Sequence, residues 1–171
     1  MIRLITGGAR SGKSTLAERL AEESGLEVIY IATAQTGDGE MSERVALHRE
    51  RRPDHWQTVE EPLRLVETIR RLQQPGRCLL VDCLTLWVTN LLLSEADIQE
   101  QRELLYTTLA NAKGEVILVT NETGMGVVPM GELSRRFVDE AGWLNQAVAA
   151  VANQVVLTVA GLPLTVKGEK L

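Results

Sequence analysis

Apolar residues recur along this chain in short continuous runs, and polar stretches separate one run from the next. Five of these runs have the length of a β-strand and are apolar almost throughout, which is typical of strands buried on both faces of a parallel sheet. The predicted strands are Ile2–Thr6, Val28–Thr33, Cys78–Asp82, Val116–Thr120 and Val155–Ala160. A short sixth run, Leu164–Val166, follows a Gly-Leu-Pro turn and is predicted as an antiparallel edge strand.

Segments with helical character lie between the predicted strands. They are Ser14–Ser24, Glu40–Arg51, Pro62–Gln73, a stretch within Leu84–Ala112, and Gly131–Asn153. Strands that alternate with helices favour a doubly wound α/β fold with a mostly parallel sheet. Two polar, glycine-containing loops, Gln35–Gly39 and Glu122–Pro129, leave the carboxyl ends of predicted strands. Ligands bind at that edge of open α/β sheets, so we expect a site there.

Composition restricts the class of protein further. A chain of 171 residues suits one domain, here residues 1–171, and 44% hydrophobic with 24% charged residues is ordinary for a globular protein. The net charge of −5 argues against general nucleic-acid binding. The two cysteines, Cys78 and Cys83, form no C-x-x-C pair, so we expect reduced core residues and a cytoplasmic protein. No apolar run approaches the roughly 20 residues of a membrane span.

A phosphate-binding motif follows the first predicted strand. It reads G-x-x-x-x-G-K-S and consists of Gly7, Gly8, Ala9, Arg10, Ser11, Gly12, Lys13 and Ser14. A strand before it and a helix after it give the context in which such a P-loop wraps its backbone N–H groups around phosphates. We expect Lys13 to reach the β- and γ-phosphates and the Ser14 hydroxyl to hold Mg²⁺. The alternative is a tight strand-to-helix turn without a ligand.

The predicted strand Cys78–Asp82 ends in a carboxylate. An acidic group at this place resembles a Walker B residue, which holds Mg²⁺ directly or through water in P-loop enzymes. We therefore expect Asp82 to be a second metal-binding residue. The structural alternative is an aspartate that caps the next helix or lies on the surface.

A basic segment surrounds one of the two histidines. Residues 44–52 hold four arginines and one acid, Glu50, in an otherwise acidic protein, and His48 lies among them. Arginines bind phosphate groups well. Their charge also disfavours imidazolium, and neutral imidazole is the form that acts as a nucleophile or base. From these residues alone, a nucleophile in a phosphate-binding patch and a packed histidine beside a solvated charged face are equally acceptable.

The segment after the fourth predicted strand, Asn121 to Pro129, contains two glycines and begins with polar residues. Such a loop is a plausible wall of an active site, in which Glu122 would bind substrate or position a water. A plain mobile loop is the alternative. The guanine-reading sequence N-K-x-D is absent from the chain, so base preference cannot be inferred from it.

Four stretches together resemble one family, the bifunctional adenosylcobinamide kinase / adenosylcobinamide-phosphate guanylyltransferases of cobalamin biosynthesis. They are T-G-G-A-R-S-G-K-S at residues 6–14, Y-I-A-T-A at 30–34, R-x-x-x-H-x-x-x-R-P at 44–53 followed by His55-Trp56, and V-T-N-E-x-G-x-G-x-V-P at 119–129. The resemblance covers essentially the whole chain. It implies a P-loop NTPase fold of the RecA-like kind, with a mostly parallel sheet flanked by helices.

The resemblance also implies the chemistry. A kinase step with ATP or GTP phosphorylates the aminopropanol hydroxyl of adenosylcobinamide, and a second step moves GMP from GTP onto that phosphate and releases pyrophosphate. In the family a GMP–histidine phosphoramidate carries the nucleotide, and His48 matches the histidine. A second histidine often precedes it, but Leu47 stands there in this chain.

Further nucleotide contacts and a homotrimer are implied in the same way. The implied contacts are Thr33, Ala34, Gln35, Arg49, Glu50, Arg51, Arg52, Glu60 and Asp82. Two other functions stay open at this stage: a simple P-loop kinase of a small metabolite, in which His48 is structural, and a nucleotide-dependent switch or assembly module. Only the two-step enzyme requires a covalent nucleotide on His48.

Overall fold

A seven-stranded sheet lies at the centre of the fold, in a computed structural model that describes residues 1–34 and 53–171. The strands are β1 (Ile2–Gly7), β2 (Glu27–Ala32), β3 (Gln57–Glu60), β4 (Arg77–Asp82), β5 (Glu115–Val119), β6 (Gln154–Val159) and β7 (Leu162–Lys167). The helices of the described residues are α1 (Lys13–Glu23), α2 (Leu65–Leu72), α3 (Leu84–Leu93), α4 (Ile98–Ala110) and α5 (Glu132–Val151).

The spatial order of the strands is β3-β2-β4-β5-β1-β6-β7. All neighbouring pairs are parallel except β6 and β7, which form an antiparallel hairpin at one edge. The strand that leads into the P-loop, β1, is therefore central, and β5 separates it from β4, which ends at Asp82. The carboxyl ends of six strands lie along one edge of the sheet.

Apolar side chains cover both faces of the sheet. On one face α1 packs through Leu16, Ala17 and Leu20 against residues such as Leu80 and Ile117. On the other face the helices α2 to α5 pack against the alternate strand positions, among them Leu79, Val81, Val116 and Leu118. This two-sided burial is the reason that the central strands are apolar throughout. None of the helices within residues 1–34 and 53–171 is long and apolar enough to cross a membrane.

The structure confirms the six predicted strands, including the antiparallel edge strand, and corrects two details. Strand β3 was not predicted, because its sequence Gln-Thr-Val-Glu is polar and mostly exposed, and it is held at the sheet edge by backbone pairing with β2. The stretch within 84–112 is two helices, because the chain leaves α3 after Leu93 and a new helix begins at Ile98. Asp97 caps this second helix, α4, by accepting from Glu100 N at 3.0 Å. The predicted helix Glu40–Arg51 lies outside the described residues.

Candidate nucleotide site

The P-loop joins the end of β1 to the start of α1 through backbone conformations that need glycine. Gly7 has φ +150° and Gly12 has φ +95°, and no side chain caps α1 in the described structure. A Cβ on Gly7 would lie 2.4 Å from the carbonyl oxygen of Thr158 on β6. The loop is thus packed tightly on its outer side. The first N–H groups of α1 have no side-chain cap, so they can donate hydrogen bonds to an anion.

The turn between β6 and β7 supports the loop from outside. Gly161 N donates a hydrogen bond of 2.9 Å to Ser11 O, and a Cβ on Gly12 would lie 3.3 Å from Gly161 Cα. Both turn residues have positive φ, +51° for Ala160 and +81° for Gly161. Positive φ at both central positions is the requirement of a type I′ hairpin turn. The hairpin therefore fixes the middle of the P-loop through backbone contacts.

Lys13 is buried at the first position of α1. Its Nζ donates to Gly8 O at 2.5 Å and contacts Ser11 Oγ at 3.5 Å, so the ammonium lies inside the curve of the loop. Burial lowers the pKa of Lys13, and the negative charge of Asp82 acts in the opposite direction. A buried ammonium group whose present acceptors are loop oxygens can donate to phosphate oxygens in their place.

Asp82 lies at the carboxyl end of β4, level with Ala32 of β2 and Val119 of β5. The Tyr30 hydroxyl donates to Asp82 Oδ2 at 3.1 Å, which orients the carboxylate on the α1 side of the sheet. The Asp82 charge raises the pKa of Lys13, so the two groups are near enough to interact electrostatically. The predicted pair of P-loop lysine and strand-end carboxylate is therefore brought together.

Ser14 and Asp82 offer hard oxygen ligands of the kind that Mg²⁺ prefers. Residues 1–34 and 53–171 contain no group of three or more His, Cys, Asp or Glu side chains that could hold a metal ion by themselves. Mg²⁺ at phosphate sites is commonly held by one or two protein oxygens together with waters and the phosphates. The donors present thus fit a Mg²⁺ ion that binds together with a nucleotide.

Thr33 lies deep at the end of β2, and its hydroxyl is bonded within the protein. The hydroxyl donates to Cys83 O at 2.7 Å and accepts from Cys83 N at 2.9 Å. Asn90 of α3 donates to Thr33 O at 2.8 Å and to Pro62 O at 2.9 Å. These contacts join β2, β4 and α3 beneath the site, so of the predicted Thr33-Ala34 pair the half-buried Ala34 is the more accessible residue.

Cys83 contributes no thiolate to this site at neutral pH. It is buried, and burial raises the pKa of its thiol to about 11, with a further contribution from the nearby Asp82 charge. Burial likewise raises the pKa of Cys78 to about 12. Both cysteines are unlinked, as expected for core thiols.

Glu60 ends β3 in register with Ala32, so it shares the carboxyl edge with Asp82 on the far side of β2. The remaining predicted site residues are Gln35, His48, Arg49, Glu50, Arg51 and Arg52, and all lie outside the described residues. His55, the other histidine, is exposed in a short turn in which Trp56 N donates to Pro53 O at 3.0 Å.

The start of the loop after β5 is hydrogen-bonded to the P-loop and to α3. Glu122 N donates to Gly7 O at 3.0 Å, and Glu122 Oε1 accepts from Gly124 N at 3.1 Å. One residue earlier, Asn121 N donates to Thr85 Oγ1 of α3 at 2.7 Å. The start of this loop is therefore fixed by a backbone hydrogen bond to the P-loop. The Glu122 carboxylate stabilises the turn at residues 122–124 by accepting from Gly124 N.

A small hydrogen-bond network behind this loop was not predicted from the sequence. Thr120 Oγ1 donates to Asn145 Oδ1 of α5 at 2.8 Å and lies 3.4 Å from Thr85 Oγ1, and Asn145 Nδ2 lies 3.4 Å from Asn121 O. The only signal in the sequence was an asparagine on the inner side of an otherwise apolar helical stripe, next to Leu144 and Val148. Its partners are distant in the chain.

The chain is similar to known proteins over nearly its whole length. The model of the family described as "Cobinamide kinase / cobinamide phosphate guanyltransferase" matches residues 3–166. The chain is similar to the bifunctional adenosylcobalamin biosynthesis protein CobP of Pseudomonas aeruginosa, with 64% identity over 98% of both chains. It is also 42% identical to the bifunctional protein CobU of Escherichia coli K12, over 98% of this chain and all of that one.

The fold is similar to that of nucleotide-hydrolysing proteins with little sequence in common. The ATPase EscN of the type III secretion system of enteropathogenic E. coli superimposes with a TM-score of 0.57 at 14% identity, over 93% of this chain and 43% of that one. This likeness confirms the RecA-like P-loop NTPase fold. With the family model and the two relatives spanning nearly its full length, the chain belongs to the cobinamide kinase / cobinamide phosphate guanyltransferase family.

Proposed function

We propose that this protein phosphorylates adenosylcobinamide and then transfers GMP from GTP to the resulting phosphate, giving adenosylcobinamide-GDP and pyrophosphate. The observation that carries the proposal is the buried Lys13 in a complete P-loop beside the Asp82 carboxylate, in a chain whose family is named for these two reactions. Both reactions need a nucleoside triphosphate bound in a fixed position, and a P-loop with a buried lysine is suited to bind its β- and γ-phosphates.

In the kinase step the aminopropanol oxygen attacks the γ-phosphorus. The bond between that phosphorus and the bridging oxygen breaks, the nucleoside diphosphate leaves, and the hydroxyl proton is released. The P-loop N–H groups and Lys13 hold the β- and γ-phosphates and balance the negative charge on their oxygens. Mg²⁺, held by Ser14 and Asp82 together with the phosphates, would supply further charge neutralisation.

In the transfer step neutral His48 attacks the α-phosphorus of GTP. A nitrogen–phosphorus bond forms, the bond to the β-phosphate oxygen breaks, and pyrophosphate leaves. An oxygen of adenosylcobinamide phosphate then attacks the same phosphorus, the nitrogen–phosphorus bond breaks, and His48 is regenerated. Arg49, Arg51 and Arg52 bind phosphate oxygens, while Ala34, Gln35, Glu50 and Glu60 contact the nucleotide; these roles rest on the sequence pattern of the family.

Four further points belong to the same proposal. GTP serves the transfer step, and ATP or GTP serves the kinase step. The two cysteines without a C-x-x-C pair favour the cytoplasm, the net charge of −5 argues against nucleic acid as a partner, and the family resemblance implies a homotrimer. Light scattering tests the trimer directly, because it should give a mass three times the 18.8 kDa of the chain.

The test of the function is a labelling experiment with GTP that carries a radioactive α-phosphate. In the presence of Mg²⁺ the wild-type protein should acquire a covalent label that is labile to acid and stable to base, as a phosphoramidate is. The His48→Ala variant should acquire none. His55→Ala is the matched control, because it removes the chain's other histidine from an exposed turn, and it should label like the wild type.

The same samples separate the activities. Phosphorylation of adenosylcobinamide, followed with a γ-labelled nucleotide, should persist at least in part in His48→Ala and be lost in Lys13→Ala. Phosphorylation without any covalent label in the wild type would instead make the protein a simple P-loop kinase. Nucleotide hydrolysis without phosphorylation of the corrinoid would leave only the switch function.

A further inference from the structure

One tyrosine hydroxyl lies in the core directly beside the nucleotide site. Tyr30 is 3% exposed and belongs to the apolar cluster between the sheet and α1. A buried phenol needs a hydrogen-bond partner, whereas phenylalanine would fill the same space without one. The hydroxyl donates to Asp82 Oδ2 at 3.1 Å. The polar atom of this core residue therefore acts on the carboxylate that ends β4.

The register of β2 and β4 brings the two side chains together. Tyr30 pairs with Leu80, and Ala32, two residues later, pairs with Asp82. Tyr30 and Leu80 both face α1, and side chains two residues apart in a strand point to the same face. Asp82 therefore faces α1 as well. Tyr30 starts two residues below the carboxyl edge of the sheet, and its hydroxyl reaches that edge.

This contact occupies only one of the two carboxylate oxygens. Within residues 1–34 and 53–171, no other group donates a hydrogen bond to the Asp82 side chain, which is partly exposed. The second oxygen, Oδ1, is therefore available to a ligand. Mg²⁺ at phosphate sites is commonly held by one or two carboxylates, and the phosphates and waters supply its other ligands. A carboxylate with one fixed and one available oxygen suits such an ion.

The nearby cation that competes for Asp82 is Lys13. Burial lowers the pKa of Lys13 and the negative charge of Asp82 opposes this, so the two groups interact electrostatically. No ion pair joins them among the described residues. Lys13 Nζ donates to Gly8 O instead, and the carboxylate accepts from Tyr30. Because their hydrogen-bond partners differ, the ammonium stays available to phosphates and the carboxylate to a metal ion.

We propose that Tyr30 is a positioning residue of the metal site: its hydroxyl holds the Asp82 carboxylate so that Oδ1 is presented to the Mg²⁺ of the bound nucleotide, or to a water on that ion. Removing a group that orients a metal ligand commonly lowers metal affinity about 10–100-fold. This inference rests on the proposed function for the use of a Mg²⁺–nucleotide complex. It adds a residue outside the predicted site residues, and that residue acts through Asp82.

The test measures how much Mg²⁺ contributes to GTP binding. Calorimetry gives the Kd of GTP once with excess Mg²⁺ and once with EDTA, and the ratio of the Kd in EDTA to the Kd in Mg²⁺ is the metal contribution. Tyr30→Phe removes only the hydroxyl; the ring stays in the core and water can reach the partly exposed Asp82, so the fold should tolerate it. Tyr106→Phe, at the chain's other tyrosine, on α4, is the matched control.

We expect Tyr30→Phe to lower the metal contribution at least about tenfold, through a weaker Kd in Mg²⁺ and an unchanged Kd in EDTA. Tyr106→Phe should match the wild type in both solutions. In an Asp82→Ala background the metal contribution is already low, and adding Tyr30→Phe should change neither Kd, because the hydroxyl acts through the carboxylate. Thermal unfolding without nucleotide checks that every variant is folded.

An unchanged metal contribution in Tyr30→Phe overturns this inference. Equal weakening of both Kd values also overturns it, since the hydroxyl would then support the nucleotide loop rather than the metal site. So does a further loss from Tyr30→Phe when residue 82 is already alanine, or a wild type whose Kd is the same in Mg²⁺ and in EDTA. None of these measurements uses the corrinoid. The proposed function fails separately, if the wild type binds GTP but neither phosphorylates adenosylcobinamide nor acquires the covalent label.

Discussion

Gly7 and Gly8 are neighbours in the same loop, yet the structure predicts opposite responses to the same substitution. A Cβ on Gly7 would lie 2.4 Å from Thr158 O and 2.7 Å from Ser11 Oγ, whereas a Cβ on Gly8 has no heavy atom within 4 Å. Gly7 also has φ +150°, a conformation that residues with a Cβ rarely adopt. Gly7→Ala should therefore destabilise the protein, and Gly8→Ala is its matched control.

The magnitude follows from the contact with Thr158. Ordinary van der Waals contact starts at 3.4 Å, so the Thr158 carbonyl would have to move by about 1 Å. Thr158 is held in the sheet by its pairing with both Gly7 and Pro163, so the movement disturbs two strand pairs. Overpacking of about 1–3 kcal/mol and backbone strain of about 1–3 kcal/mol together predict a loss of about 2–6 kcal/mol in the free energy of unfolding.

Urea unfolding of the wild type and both variants, without nucleotide, measures this directly. We expect the free energy of unfolding of Gly8→Ala to lie within about 0.5 kcal/mol of the wild-type value. The added methyl group lies in the phosphate-binding loop, so this variant should still bind GTP more weakly. The reasoning is refuted if Gly7→Ala is as stable as the wild type, or if both variants lose the same stability.

Three other substitutions test separate parts of the site. Lys13→Met should abolish nucleotide binding without lowering the stability of the free protein. Because burial lowers the Lys13 pKa in the folded state, the unfolded wild type binds more protons than the folded one at alkaline pH. The urea midpoint of the wild type should therefore rise relative to that of the variant as pH increases toward 10.5. Ala160→Asn should raise the free energy of unfolding by about 0.5–1 kcal/mol, since Asn-Gly suits two successive positive φ values, and an unchanged or lower Tm would contradict this. Asn145→Leu removes the partner of the Thr120 hydroxyl and should cost about 1–3 kcal/mol in urea unfolding; a smaller loss than about 0.5 kcal/mol would show that the network is dispensable.

The central strands could be predicted because two-sided burial leaves a direct trace in the sequence. Leu79 and Val81 face α2 to α5 while Leu80 faces α1, and all three must be apolar. Strand β3 leaves no such trace, because its side chains are mostly exposed and its place depends on backbone pairing with β2. An edge strand of this kind is specified by its neighbour rather than by its own residues.

The residues of the candidate site likewise include some that the sequence predicts and others that it does not. The P-loop and Asp82 could be recognised because their chemistry depends on residues at fixed spacing next to a strand. The support from Gly161 to Ser11 and the Thr120–Asn145 pair could not, since each joins residues far apart in the chain. The loop from Asn121 to Pro129 was expected beside the site, but the contact of Glu122 with Gly7 depends on the strand order, which periodicity alone does not determine.

The central position of β1 has a consequence for the order of events during synthesis. The P-loop segment is made well before the segments it contacts: Ile2 pairs with Val116, Arg3 pairs with Gln154, and Ser11 accepts its hydrogen bond from Gly161. None of these partners exists until about 100 residues after the P-loop have been made. Contacts between such distant segments form slowly. Nucleotide binding by a nascent chain would therefore begin only after the β6–β7 hairpin has emerged, and its onset would report the completion of the sheet.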